Sequence, residues 1–281
     1  MIVFKVSYDQ GGGDKSCGAR FGPMAIERMF HRYPWRGAED GTPHPHIHWA
    51  DEATSLEDYR RMVGSTLIRP LESYISLSGD NSCSFETVRI AAQHVKHIAL
   101  AVLDAHPDAC GPNHDPHANW VWRLWQLGVV APEKTIFFGI RDPEEEEMRY
   151  IKEKNAMVIT PDEIDAFLLS GNKIFTQCLN KWRPFPDHAL IIVVDIDVLD
   201  PAYAPGTGML RAGGLNVRQV LNIIRRLCAL PFAMRIGEIC EVIPQEGNTL
   251  RPQRDQRPDP CGLTVLAAEA ILRQMIQSMK P

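Results

Sequence analysis

Two stretches of acidic and imidazole side chains stand directly after apolar runs of the sequence. The first carries Asp104, His106 and Asp108, and the second carries Asp195 and Asp197, with one residue between neighbours in each set. Alternate residues of an extended chain point to the same side, so each set can converge on one point. Carboxylates gathered in this way would repel one another unless a cation lay among them. The spacing therefore predicts a metal site.

The donor atoms of these five side chains indicate which cation would fit. Four carboxylates and one imidazole form a hard, oxygen-rich set. Such a set suits Mn²⁺ better than Zn²⁺, which prefers nitrogen and sulfur ligands.

The elements that must position these residues follow from the pattern of apolar segments. About eight short apolar runs alternate with helical patterns, and His97–Leu103 and His188–Val194 precede the two clusters. Parallel strands need crossover connections, so this order predicts a three-layer α-β-α sandwich with a parallel sheet of about eight strands. Asn81 and Glu241 also follow predicted strands, at the edge where such sheets bind ligands. No linker or repeat interrupts the pattern, which indicates one domain over residues 1–281.

Four further segments carry local signals. Thr54–Glu57 and Thr160–Glu163 have the capping-box pattern and predict helix starts. The glycine-rich segment 11–18 lacks the residues of a phosphate-binding loop, so we interpret it as a flexible connection. The acidic run from Glu144 to Glu147 is typical of a solvated helix N-terminus.

Composition limits the partners and the compartment. The net charge of -5 gives no reason to expect a nucleic-acid or membrane partner. Seven scattered cysteines without a CxxC pair indicate free thiols in a reducing compartment. The N-terminal residues lack a signal-peptide pattern, so we expect a cytoplasmic protein.

Seven motifs in a fixed order give a resemblance to a known family. They are Gly18–Pro23, Gly79–Ser82, Asp104–Asp108, Gly139–Asp142, Asp195–Pro201, Pro205–Gly208 and Gly237–Pro244. The sequence resembles the arginase and agmatinase superfamily, the ureohydrolases. The resemblance implies an arginase-like fold, a homo-oligomer and two Mn²⁺ ions. It makes Asp104 and Asp195 bridging ligands, gives Asp108 to the first ion, and gives His106 and Asp197 to the second.

One position departs from the family's ligand pattern. Asn81 stands where the family has a histidine that binds the first ion. An amide oxygen is a neutral and weaker donor for a hard cation. We therefore expect the first position to be weakened or empty and the second to be intact, and the sequence leaves open whether the chain binds one ion or two.

The resemblance also implies a reaction, the hydrolysis of a C–N bond of a linear amidine or guanidino compound by metal-bound hydroxide. Glu241 would hold the guanidinium group, and His117, with His114 as a rival, would pass a proton to the leaving amine. Glu144 is a candidate substrate-binding residue. The plain alternatives are a surface or helix-capping role for Glu241 and a packing role for His117. Cys110 and Met209–Arg211 depart from the family pattern and argue against arginine as the substrate.

Three functions stay open at this point. The first is an agmatinase-like or guanidino-acid hydrolase. The second is a single-metal amidohydrolase that acts on a formimino compound or an acylated amine. The third is a catalytically silent subunit that binds metal or a ligand. Asn81 favours the second and third, whereas the otherwise complete ligand set argues against the third.

Overall fold

A parallel sheet of eight strands runs through the molecule in the computed structural model, which describes residues 1–33, 46–66, 72–170, 180–182, 188–250, 259 and 261–279. The strand order is β2-β1-β3-β8-β7-β4-β5-β6, and every pair is parallel. The strands are β1 (Ile2–Val6), β2 (His48–Ala53), β3 (Tyr74–Ser78), β4 (His97–Leu103), β5 (Thr135–Phe138), β6 (Met157–Ile159), β7 (His188–Asp195) and β8 (Met234–Cys240).

Helices cover both faces of this sheet, as predicted for a three-layer sandwich. The described helices are α1 (Gly22–Arg32), α2 (Leu56–Thr66), α3 (Ser82–Ala91), α4 (Trp120–Gln126), α5 (Glu145–Glu153), α6 (Pro161–Ser170), α7 (Val217–Cys228), α8 (Gln245–Asn248) and α9 (Leu263–Ser278). Residues of α1, α6, α7 and α9 share one hydrophobic core with the sheet. Residues of α2, α3, α4 and α5 form a second core on the opposite face. Among these described helices, none has the length and apolar character needed to cross a membrane.

The strand register brings several chain segments to one edge of the sheet. Leu103 of β4 pairs with Val194 of β7, and Asp195 of β7 pairs with Cys240 of β8. Leu77 of β3 pairs with Ile239 of β8. The carboxyl ends of these four central strands are therefore level with one another. The residues that follow them, including the predicted site residues, emerge side by side.

Most predicted element bounds lie close to the observed ones, and one capping box is displaced. Strands β4, β6 and β8 have the predicted bounds. The box at Thr160 is confirmed, because its N–H donates to Glu163 over 2.8 Å. The box predicted at Thr54–Glu57 is wrong. Helix α2 begins at Leu56, so Ser55 is the capping residue and its hydroxyl accepts from the Asp58 N–H at 3.1 Å.

Candidate metal centre

The carboxyl ends of β3, β4, β7 and β8 surround a pocket of about 270 Å³. Asp104 lies in the wall behind it and is only 1% exposed. The other residues predicted for the site all line the pocket: Asn81, His106, Asp108, His117, Glu144, Asp195, Asp197 and Glu241. The chain therefore gathers the predicted residues around one cavity.

Three of these side chains come close enough to hold one ion. One donor atom each of Asp104, His106 and Asp197 lies within 4.8 Å of the others. Nδ1 of His106 is 3.0 Å from Oδ2 of Asp197 and 3.6 Å from Oδ1 of Asp104. The second oxygen of Asp104 is buried without a hydrogen-bond partner. Such an oxygen is costly to leave unpaired, and a divalent cation would satisfy it. This donor set fits a hard ion such as Mn²⁺.

The electrostatics of this trio reflect crowded carboxylates around one imidazole. Burial and the charge of Asp197 raise the pKa of Asp104 to about 7. Burial disfavours a charge on His106, but hydrogen bonds to Asp104 and Asp197 raise the pKa of this imidazole to about 12. Burial and the two neighbouring carboxylates raise the pKa of Asp195 well above its ordinary range. The imidazolium thus supplies positive charge at a point where the carboxylates favour a cation.

The side chain of Asn81 is turned so that its nitrogen faces the carboxylates. Nδ2 donates to Oδ2 of Asp195 over 2.6 Å. Its oxygen accepts hydrogen bonds from Oγ of Ser84 at 3.1 Å and from Sγ of Cys240 at 2.9 Å. The oxygen is the only side-chain atom of Asn81 that could bind a cation, and it is engaged on the other side.

Asp108 is not among the three residues whose donor atoms lie within 4.8 Å of one another. Strand β4 ends at Leu103, so the alternation expected for an extended chain does not continue to Asp108. Asp108 has a left-handed backbone with φ 49°. Its Oδ2 accepts from Nε1 of Trp120 at 2.8 Å. The group of donor atoms within 4.8 Å contains Asp104 and His106 and has Asp197 as its third member.

Glu241 lies in the pocket wall, where it is 5% exposed. Its Oε1 accepts from Oγ of Ser16 and from the N–H of Asn81, both at 3.0 Å. Burial and the charge of Asp80 raise the pKa of Glu241 well above its ordinary range. Its backbone has φ 59°, a conformation that non-glycine residues rarely adopt. Glu241 is not a surface residue, because it is buried. It is not a helix cap either, because Pro244 caps α8.

Asp80 fixes the glycine-rich segment against the site. Its Oδ2 accepts from the N–H groups of Gly11 at 2.6 Å and Gly12 at 3.0 Å. The segment is therefore pinned to the end of β3, which corrects the expectation of a flexible connection. It brings Lys15 and Ser16 to the pocket. The sequence did not reveal this contact, because nothing local connects residues seventy positions apart.

His117 contacts the same glycine segment. Its Nδ1 is 3.3 Å from the carbonyl oxygen of Gly11. A carbonyl only accepts hydrogen bonds, so Nδ1 carries the proton and Nε2 is the basic atom. Burial and the nearby charge of Lys15 lower the pKa of His117, against the effect of its Gly11 hydrogen bond. His117 lines the pocket, whereas His114 does not.

Arg141 was missed by the sequence analysis as a support of the site. Its guanidinium donates to the carbonyl oxygens of Asp197 at 2.6 Å, Leu199 at 3.2 Å and Arg211 at 2.8 Å. These bonds hold the turn that carries Asp197. The Gly139–Asp142 motif was the available signal, but it does not indicate which groups the arginine contacts.

Comparisons with known proteins find relatives that match most of this chain. The chain is 27% identical to proclavaminate amidinohydrolase of Streptomyces clavuligerus over 89% of its length and 83% of that protein's. It is also 27% identical to agmatinase of Neisseria meningitidis serogroup C, with 98% and 85% covered. The fold matches that of formimidoylglutamase from Bacillus subtilis with a TM-score of 0.79 and 23% identity, over 99% of this chain and 86% of that one.

A family model extends this likeness over nearly the whole sequence. The model described as the arginase family matches residues 1–277, a range that includes every residue of the pocket. The chain therefore belongs to the arginase family.

Proposed function

We propose that the protein is a hydrolase that cleaves a C–N bond of a linear amidine, either a guanidino or a formimino compound, with one divalent cation per chain. The observation that carries this proposal is the buried, unpaired oxygen of Asp104 beside His106 and Asp197. The likeness to agmatinase and to proclavaminate amidinohydrolase supports the substrate class.

Asp104, His106 and Asp197 would hold the ion. Their oxygen-rich donor set favours Mn²⁺. When bound, such an ion lowers the pKa of a water molecule and so supplies a nucleophile near neutral pH. Asp195 and Asp108 complete the acidic wall. A second ion would need the oxygen of Asn81, which bonds to Ser84 and Cys240, or the Oδ2 of Asp195, which accepts from the Asn81 amide.

Glu241 would bind the amidinium group of the substrate. Amidinium and guanidinium groups are planar cations with paired N–H donors, which a carboxylate binds through charge-assisted hydrogen bonds. Ser16 and the Asn81 N–H orient this carboxylate by donating to one of its oxygens. A cationic substrate would also offset the charge of Glu241, which is buried beside the charge of Asp80.

His117 would move the proton. In the hydrolysis, the water oxygen bonds to the central amidine carbon and the bond from this carbon to the leaving nitrogen breaks. The leaving nitrogen must gain a proton to depart as an amine. His117 is held with Nε2 basic, so it can accept a proton from the attacking water and deliver it to this nitrogen.

Glu144 would attract the distal end of the substrate. It is exposed and lines the pocket on the side of α5. Lys15 and Arg211 line other parts of the wall. An amine at the far end of the substrate would be attracted to Glu144. A carboxylate there would be attracted to Lys15 and Arg211.

A product assay tests the proposed function. The Mn²⁺-loaded protein is incubated with agmatine, guanidino acids, formimino amino acids and acylated amines, and urea, formamide, ammonia and the amine freed from an acylated substrate are measured. We expect urea from a guanidino compound, or formamide or ammonia from a formimino compound. Asp197→Asn should release none. If no amidine yields a product, the proposal fails and a silent metal- or ligand-binding subunit becomes the better account.

A further inference from the structure

We propose that Cys110, His114 and Glu144 form a second cation site, one for Zn²⁺, at the mouth of the pocket. One donor atom of each residue lies within 4.8 Å of the other two, namely a thiol sulfur, an imidazole nitrogen and a carboxylate oxygen. Among the residues that the structure describes, this group and the Asp104–His106–Asp197 trio are the two that meet this criterion. The binding of Zn²⁺ at this site does not depend on the activity of the proposed hydrolase, whereas the inhibition inferred below rests on that proposed function.

Hydrogen bonds hold the loop of Cys110 and His114 in place without an ion. The Cys110 N–H donates to the carbonyl oxygen of Ala118 at 3.3 Å, which closes the loop between them. Nδ2 of Asn119 donates to the carbonyl oxygen of His114 at 3.0 Å. The loop that carries Cys110 and His114 is therefore fixed at both positions.

Glu147 joins this loop to the helix that carries the third donor. Its Oε1 accepts from the Ala109 N–H and its Oε2 from the Glu144 N–H, both at 2.9 Å. The side chain is buried, so the two bonds are shielded from water. Glu147 thus fixes Cys110 relative to Glu144, the residue before α5. A site prepared in this way needs little reorganisation to bind an ion.

The donor types separate this site from the oxygen-rich trio. A set of one sulfur, one nitrogen and one oxygen suits Zn²⁺, which is often bound by three protein ligands with a fourth position open. A cation among these groups would stabilise the thiolate form of Cys110.

The position of the site gives it a function. Cys110 and Glu144 both line the pocket. Zn²⁺ bound there would occupy the entrance and engage the carboxylate proposed to attract the substrate. We therefore infer that Zn²⁺ inhibits by competing with substrate, while the ion in the deeper trio is retained.

Cobalt titration of the Mn²⁺-loaded full chain tests the proposal. Co²⁺ bound to a thiolate has a charge-transfer absorption in the near ultraviolet that oxygen and nitrogen ligands do not produce. We expect this band to saturate at about one equivalent and to disappear when Zn²⁺ is added. Cys110→Ser should abolish it. His114→Ala and Glu144→Gln should raise the Co²⁺ Kd by at least about tenfold.

Two matched variants make the outcome decisive. Cys261→Ser removes an exposed cysteine elsewhere and should keep the band. Asp197→Asn disables the deeper trio and should also keep it, so failure of the proposed hydrolase would not affect the result. A wild-type protein without the band, or a band that survives in Cys110→Ser, would overturn the assignment. His114→Ala provides the test if Cys110→Ser does not fold.

Discussion

The side-chain nitrogen of Asn81 lies 2.6 Å from Oδ2 of Asp195. Oδ1 of the same carboxylate accepts from the Asp197 N–H at 2.8 Å. Protein donors therefore engage both oxygens of Asp195, although Asp104 keeps one oxygen unpaired. The acidic cluster is thus asymmetric. On one side a carboxylate oxygen of Asp104 has no hydrogen-bond donor, and on the other side the neutral amide of Asn81 donates to Asp195.

This asymmetry predicts different effects for two similar substitutions. Asp197→Asn removes a charge from the trio and should raise the Mn²⁺ Kd by at least about a hundredfold, since removing an ion's carboxylate ligand costs several kcal/mol. Asp108→Asn should leave the Kd within about threefold. Asparagine tolerates the left-handed backbone of Asp108 and can still accept from Trp120. Mn²⁺ titration followed by electron paramagnetic resonance gives both values. Equal weakening by the two variants would argue against a centre limited to the trio.

Glu241→Gln tests the amidinium-binding role. A neutral amide cannot make the charge-assisted pair, so kcat/KM should fall by about 30- to 1000-fold, which corresponds to about 2–4 kcal/mol. The bound Mn²⁺ should not change. Glu246→Gln, an exposed glutamate paired with Arg28 on the surface, is the control and should retain full activity. Steady-state kinetics on the substrate identified by the product assay gives kcat/KM for both variants. A Glu241→Gln enzyme with normal kcat/KM would remove Glu241 from the mechanism.

His117→Asn tests the proton transfer. The substitution removes the basic Nε2, so kcat should fall by about 10² to 10⁴. The Mn²⁺ content should be unaffected, because His117 lies outside the trio. Added imidazole should restore part of the rate if the loss is a loss of proton transfer. Loss of folding, measured by circular dichroism, would instead support a packing role for His117.

A buried acid beneath the site predicts how stability depends on pH. Burial raises the pKa of Glu238 from 4.5 to about 7, although Ser84 and other hydroxyl groups hydrogen-bond to it. Between these two values the folded protein binds more protons at Glu238 than the unfolded chain. Its contribution therefore favours folding at low pH and is lost as pH rises from about 4.5 to 7.

Glu238→Gln should remove this dependence, because glutamine keeps the hydrogen bonds without a charge. We expect the variant to gain up to about 3 kcal/mol of unfolding free energy over the wild type at pH 8, and little at pH 4. Urea unfolding at several pH values measures the difference. Exposed Glu133→Gln is the control. If Glu238→Gln is no more stable than the wild type at pH 8, the charge on Glu238 does not destabilise the folded protein.

The sequence predicts the strands better than the geometry between them. His97–Leu103 of β4 and His188–Val194 of β7 are each an apolar run after a single histidine, so these strands and the acidic residues after them follow from hydrophobicity alone. Asp104 and His106 meet as expected, but Asp108 lies beyond the end of β4 and follows the turn instead of the strand. The alternation rule applies only while the backbone is extended.

The supports of the site were hidden for a different reason. Asp80 binds the glycine segment, and Arg141 binds the turn after β7, through backbone N–H and carbonyl groups that every residue carries. No residue pattern marks such partners. Likewise, Asn81 was identified as an altered ligand position, but its bonds to Asp195 and Cys240 depend on the strand order in the sheet.

The number of Mn²⁺ ions per chain tests the central claim most directly. The wild-type protein, loaded with excess Mn²⁺ and freed of unbound metal, should contain one ion per chain by elemental analysis. Asn81→His replaces the amide that donates to Asp195 with an imidazole and should raise this number toward two. Two ions in the wild-type protein would contradict the account.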